Sequence, residues 1–414
     1  MSGKEAVKQD LIAGFRDQKL ANSVVPCPDK TPNLLVSRVT FHDNHVVERD
    51  TFGDFPKPEW DMDRAADEQA PVCYVRGATL KVTVELNVLG TRSYEGSVSI
   101  HGSARVGEMD MEWSQDVSLT PGDPTVTISQ VAASAPLPDH VGCYDPVTIT
   151  WEARLAGKAR SPAGTSQHVV YALLGAPTTF HYWTCIDISC RWGNGATSEA
   201  ALVAQVFRGF QTLRLTRKRD GVGLTYWRPG LAWADQRKCV AFSVWLLLRG
   251  VHGRGQCGSW AELLVTSFLV HGVAAQKVKI VPRSDPPYSG GGFLVKNWRY
   301  ITPPATSPTA YTHTMNVDCI DDPGARGQRN PNPPGSFGNH FVTKVLGNYY
   351  DPSYGAGPFA DASSWFRVSL DGLIAGSWQL HNVGFAGAQS PYVTFIDNFG
   401  LADPAFNVPT FEED

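Results

Sequence analysis

The chain has 414 residues, 42% of them apolar and 18% charged, with a net charge of −4. That length exceeds what one hydrophobic core organises, so two domains are expected, and the composition excludes a disordered chain. No run approaches about 20 uninterrupted apolar residues, so no transmembrane helix is expected, and eight cysteines are too few for a disulfide scaffold.

Residues 1–34 open with "MSGKEAVKQDLIAGFRDQKL", whose charges interrupt the apolar core a signal peptide needs. The segment reads as a short amphipathic helix of a cytoplasmic protein with reduced thiols, and signal-independent secretion stays open. Residues 35–178 read as strands: "LLVSRVTF", "TLKVTVELNV", "EGSVSIHG", "TVTISQV", "PVTITWEARL" and "QHVVYALL" are short β-rich runs, mostly alternating. Turn-like "PGD", "LPDH" and "GKARSPAG" separate several of them. This pattern predicts an immunoglobulin-like β-sandwich domain. Within it, "HDNHVVERD" offers His42, Asp43, His45 and Asp50 as conceivable metal ligands, but such a cluster reads first as turn chemistry, and no metal site is expected.

From residue 179 to 414 the pattern becomes mixed. "TSEAALVAQVFRGFQ" begins with cap-type Thr197 and Ser198, followed by Leu202, Val203, Val206, Phe207 and Phe210 at helical spacing. "RKCVAFSVWLLLRG" predicts a second, thoroughly apolar helix. A third runs from Cys257 to about His271, apolar nearly all round, with Gly272 where a helix-ending glycine belongs. "VAAQKVKIVPR" returns to strand, a long Pro- and Gly-rich stretch spans residues 284–338, and "NHFVTKVLGNYYDPSYG" predicts a hairpin turning at Gly347-Asn348. Cys185 and Cys190 lack the partner pair that a structural zinc requires.

Charge is uneven. Between Arg191 and Arg254, eleven Lys/Arg face Glu199, Asp220 and Asp235, a net of +8, which leaves −12 on the remainder. A solvated basic face is the plain reading, and attraction of an acidic substrate the sharper one. No basic–aromatic motif accompanies the charge, so nucleic acid is not expected as a partner.

"GRGQCGSWAELL" places Cys257 in the first turn of its helix, where unpaired N–H groups and a partial positive charge favour a thiolate. Flanking Gly255 and Gly258 let a substrate approach the backbone. A buried packing thiol is the competing reading. A thiol enzyme also needs a histidine and a group to orient it, and His340 opens a strand while Asp351 ends the next. The ordered pieces "GQCGSWAELLVTSFLVHGVAA", "NHFVTKV" and "YYDPSYG" resemble the transglutaminase-like superfamily, relatives of papain-like cysteine proteases, over roughly residues 180–360.

The resemblance implies an α+β fold in which an N-terminal sandwich is followed by a transglutaminase-like, papain-like domain over 179–414. It implies Cys257 as nucleophile, His340 as general base and acid, and Asp351 as its orienter, with no cofactor and with protein or peptide, possibly acidic, as substrate. The implied activity is a cysteine amidohydrolase, a peptidase or protein deamidase. A cross-linking transglutaminase, or a binding protein or secreted effector on the same fold, are the alternatives. One feature opposes the triad: a turn at Gly347-Asn348 sets Asp351 opposite Lys344, about 13 Å along the strand from His340. Relatives use a Trp N–H or a Gln side chain as second oxyanion donor; here the Gln256 side chain, one residue from the cysteine, is expected to point elsewhere, and Trp192, Trp227 and Trp233 read first as core. His252 and His271 read as helix-end or packing histidines, and the oligomeric state is open.

Overall fold

A computed structural model describes residues 33–51, 53–89, 96–155, 159–226, 243–282, 292–295, 312–314, 328, 336–375, 379–381 and 393–399. The expected N-terminal helix lies outside the described residues, as does most of the Pro- and Gly-rich stretch.

Nine strands fill the first half of the chain: β1 (Asn33–His42), β2 (Trp60–Asp61), β3 (Val72–Val75), β4 (Lys81–Leu89), β5 (Gly96–Val106), β6 (Met109–Leu119), β7 (Thr125–Ala132), β8 (Gly142–Leu155) and β9 (Arg160–Leu173). They form a four-stranded sheet in the order β2-β1-β4-β7 and a five-stranded sheet in the order β3-β9-β8-β5-β6. All pairings are antiparallel except β3 with β9. Alternate side chains of both sheets, among them Val84, Ile100, Trp113 and Trp151, bury into one shared apolar cluster. Every run predicted as a strand here lies on one, whereas β2, β3 and β6 had no predicted counterpart. "GKARSPAG" is a correction, since Arg160–Gly164 already belong to β9. Gly164 takes φ +98 at a ladder irregularity, and a Cβ there would crowd Leu35 and Val36 of β1 at 3.1 Å.

The second half is mixed: α1 (Trp183–Trp192), α2 (Glu199–Gln211), β10 (Thr225–Tyr226), α3 (Val244–Arg249), β11 (Arg254–Gly255), α4 (Cys257–Leu269), β12 (Ala275–Pro282), β13 (Gly292–Val295), β14 (Thr312–Thr314), β15 (Ser336–Phe337), β16 (His340–Val345), β17 (Asn348–Asp351), β18 (Ala356–Phe359), α5 (Ala362–Ser369), β19 (Leu370–Ala375), β20 (Gln379–His381) and β21 (Val393–Phe399). One five-stranded sheet runs β18-β17-β16-β12-β21 and another β14-β20-β19-β13-β15.

α2 starts as its sequence predicts, with the Ser198 hydroxyl accepting from the Ala201 N–H. α4 ends in a Schellman motif: the Val273 N–H donates to the Phe268 carbonyl and that of Gly272 to the Leu269 carbonyl, with Gly272 at φ +74. Every residue of α4 from Cys257 to Phe268 is buried, as the apolar-all-round pattern predicts. The helix predicted within "RKCVAFSVWLLLRG" is described only as the six residues of α3; residues 237–242 lie outside. α1 had no sequence signal of its own.

The two halves meet across continuous core. Val47, Cys73, Val141, Tyr171 and Leu173, from the sheet-rich half, join one apolar cluster with Ile186, Phe207 and Trp260. A polar seam lies alongside: Lys218 pairs with Asp145 at 2.7 Å, Arg191 with Asp187 at 2.9 Å, and the Tyr171 hydroxyl donates to Asp187 at 2.9 Å. Among the described residues no helix is long and apolar enough to cross a membrane.

Candidate active site

α4 carries Cys257 at its first position, where the N–H groups lack intrahelical acceptors. The Gln256 carbonyl accepts from the Trp260 N–H at 3.1 Å and the Ser259 hydroxyl at 2.8 Å, which fixes the helix start. Gly255 is required there, because a Cβ would lie 2.2 Å from the Ser259 oxygen. Cys257 is 8% exposed.

β16 and β17 bring the other two expected residues together. The hairpin turns at Leu346-Gly347, both at positive φ, and pairs Val345 with Asn348, Lys344 with Tyr349 and Thr343 with Tyr350. The predicted turn at Gly347-Asn348 is therefore one residue late. Extending the observed ladder sets Asp351 beside Val342 rather than Lys344, so His340 is a diagonal neighbour within side-chain reach. The His340 Nε2 and Asp351 Oδ2 atoms are 2.8 Å apart, with both side chains wholly buried.

Other partners hold the carboxylate. The Ser353 N–H donates to Asp351 Oδ1 at 3.2 Å and the Trp365 Nε1–H to Oδ2 at 3.3 Å. The Trp365 ring stacks on the imidazole at 5.8 Å and 21°, and Tyr354 stands on it at 5.8 Å and 41°. Cys257 is one of the polar neighbours that act on the His340 ring. Since Nε2 faces Asp351, Nδ1 is the ring atom left to exchange a proton with sulfur. Burial alone would depress the imidazole's basicity; the Asp351 charge and hydrogen bond, reinforced by Cys257, outweigh it and carry His340 up to about 10. Imidazolium is thus the preferred form beside the sulfur.

The Thr343 hydroxyl donates to the Ala261 carbonyl at 3.1 Å, tying β16 to α4 one turn beyond Cys257. Glu262 on α4 forms a buried ion pair with Lys277 of β12, and its other oxygen accepts from the Val244 N–H at 2.9 Å. Cys257, His340 and Asp351 therefore sit on elements locked to one another.

The other residues weighed from the sequence lie elsewhere. Trp192 packs against Gly209, and Trp227 and Trp233 lie outside the described residues. His252 is exposed, while His271 is buried and its Nδ1 accepts from the Leu174 N–H at 3.0 Å, with burial taking it down to about 3. His42, Asp43, His45 and Asp50 disperse: they contact Thr83, Lys81, the His181 ring and Thr184, respectively. Cys185 and Cys190 are buried free thiols of α1. Much of the basic excess is used internally, with Arg191, Arg217, Lys218 and Arg219 all paired to aspartates. Sequence reasoning missed Trp365, Tyr354, Tyr226 and Ser353, whose roles come from tertiary contact alone.

No protein-family model matches the chain, and no curated protein matches it.

Proposed function

We propose that the chain is a transglutaminase-like cysteine amidohydrolase, a peptidase or protein deamidase, with an immunoglobulin-like sandwich over residues 35–178 and the enzyme domain over 179–414. One observation carries the reading: a buried histidine bonded to a carboxylate has as its neighbour a thiol that begins a helix. In this reading His340 takes the Cys257 proton, and the thiolate attacks an amide carbonyl. The C–N bond then breaks, and His340 returns the proton to the leaving amine. The acyl-thioester left on Cys257 is resolved by water, which His340 deprotonates. A lysine amine reaching the same thioester would give a cross-link instead.

The low exposure of Cys257 favours a second reading, in which the site is a vestige within a binding protein. Iodoacetamide at neutral pH separates the two. An enzyme's Cys257 reacts roughly tenfold or more faster than a free cysteine, because the imidazolium stabilises the thiolate, and His340→Ala abolishes that excess. Reaction at the rate of a free thiol would defeat the catalytic reading.

A further inference from the structure

Tyr226 is a neighbour of Cys257 yet has no role in a Cys–His–Asp mechanism. Its backbone is fixed from both sides of the site. β10 pairs in parallel with β11, Tyr226 opposite Gly255, two residues before Cys257. The Thr225 N–H donates to the Gly253 carbonyl at 2.9 Å, and the Tyr226 N–H to the Gln328 carbonyl at 2.7 Å. Gln328 in turn donates its N–H to the Ser353 carbonyl at 3.0 Å, two residues after Asp351. Its side-chain amide donates to the Phe210 and Pro352 carbonyls at 2.7 and 2.8 Å. Tyr226 is therefore tied through Gly255 to the segment that leads into Cys257, and through Gln328 to the segment that follows Asp351.

The phenol is buried, its ring lies 5.7 Å from that of Tyr354, and Cys257 and Tyr354 are the polar neighbours of its hydroxyl. Burial first, then the neighbouring Cys257, Tyr354 and Asp351, push its pKa well above the ordinary tyrosine range, so it stays an O–H donor. An oxyanion created by attack of Sγ lies one bond from the carbon that sulfur has just joined, on the side where the Tyr226 hydroxyl neighbours Cys257. The Cys257 N–H, unclaimed by its own helix, lies on the same atom's backbone.

We propose that Tyr226 is a catalytic residue whose hydroxyl, with the Cys257 N–H, forms the oxyanion site of this chain. The proposal rests on Cys257 being the nucleophile. As the S–C bond forms, the carbonyl π pair moves onto oxygen, and the Tyr226 O–H shifts from sulfur to that oxygen. When the C–N bond breaks, the pair returns to the carbonyl and the O–H returns to sulfur. Tyr354 holds the phenol in both positions.

Two reagents isolate this role. Acylation of Cys257 by p-nitrophenyl acetate passes through an oxyanion; alkylation by iodoacetamide does not. In the full chain, Y226F should acylate about 10²–10³-fold more slowly while alkylating within a few-fold of wild type, which also reports an intact site. Equal loss in both reactions, or loss in neither, overturns the Tyr226 assignment and leaves the nucleophile standing. A wild-type Cys257 that neither acylates nor alkylates faster than free cysteine defeats the nucleophile itself. Should Y226F not fold, Y354F, which removes the phenol's second bond, must still slow acylation selectively; unchanged acylation would overturn the proposal.

Discussion

Asp351→Asn removes the charge that makes His340 a strong base while keeping the side chain's shape. In the wild type the imidazole rises from 6.5 to about 10, and at about 1.4 kcal/mol per unit this is about 5 kcal/mol of preference for the protonated folded state. A raised folded-state value means that folding takes up a proton between those limits. The stabilisation is therefore complete below about pH 6.5 and is lost as pH rises through about 10. With asparagine at 351, burial dominates, the folded ring is neutral, and this loss above pH 6.5 disappears. Urea unfolding followed by tryptophan fluorescence should show the wild type losing its advantage over Asp351→Asn by about 1.4 kcal/mol per pH unit across that window, with His340→Ala as flat as the asparagine variant. A stability difference that stays constant from pH 6.5 to 10 would refute the charge pairing.

Three further outcomes follow from contacts around the site. Lys277→Met leaves Glu262 charged and buried, and should cost about 3–5 kcal/mol in urea unfolding; adding Glu262→Gln should return a large part of it. Gly272→Ala puts a Cβ at φ +74 and 2.7 Å from the Ala176 carbonyl, so calorimetry should register a loss of about 1–3 kcal/mol. Trp365→Phe keeps an aromatic face for His340 but removes the N–H on Asp351; a charge-assisted bond of that kind is worth about 1.5–3 kcal/mol, read as lower stability together with slower alkylation of Cys257.

Local chemistry explains what could be read in advance. Ser198 capping α2, Gly272 closing α4 and the alternation within β1, β4 and β8 are short-range signals, and each lies where its pattern predicts. α1 was illegible for the opposite reason. "WTCIDISCRW" follows Tyr182, which offers no cap; the Thr184 N–H is instead taken by Asp50 Oδ1 at 3.0 Å, from 134 residues away. The turn of the β16–β17 hairpin was misread by one residue because Gly347 and Asn348 are both turn formers, and only Leu346 accepting φ +47 decides between them. The Cys257, His340 and Asp351 positions could be picked out from their order along the chain. Trp365, Tyr354 and Tyr226 could not, since an aromatic residue's sequence neighbours say nothing about which distant histidine or sulfur it will touch.

The two-residue turn at Leu346-Gly347 works as a length gauge for the site. Surface turns usually absorb insertions without consequence, and Leu346 is exposed. Here one added residue would either slip the β17 register, turning Asp351 to the opposite face of the sheet, or be expelled as a bulge that re-aims it. Either way the carboxylate leaves His340, though no residue at the turn contacts the imidazole. A solvent-facing tip, apart from the His340–Asp351 pair and indifferent to its own side chains, is thereby barred from changing length.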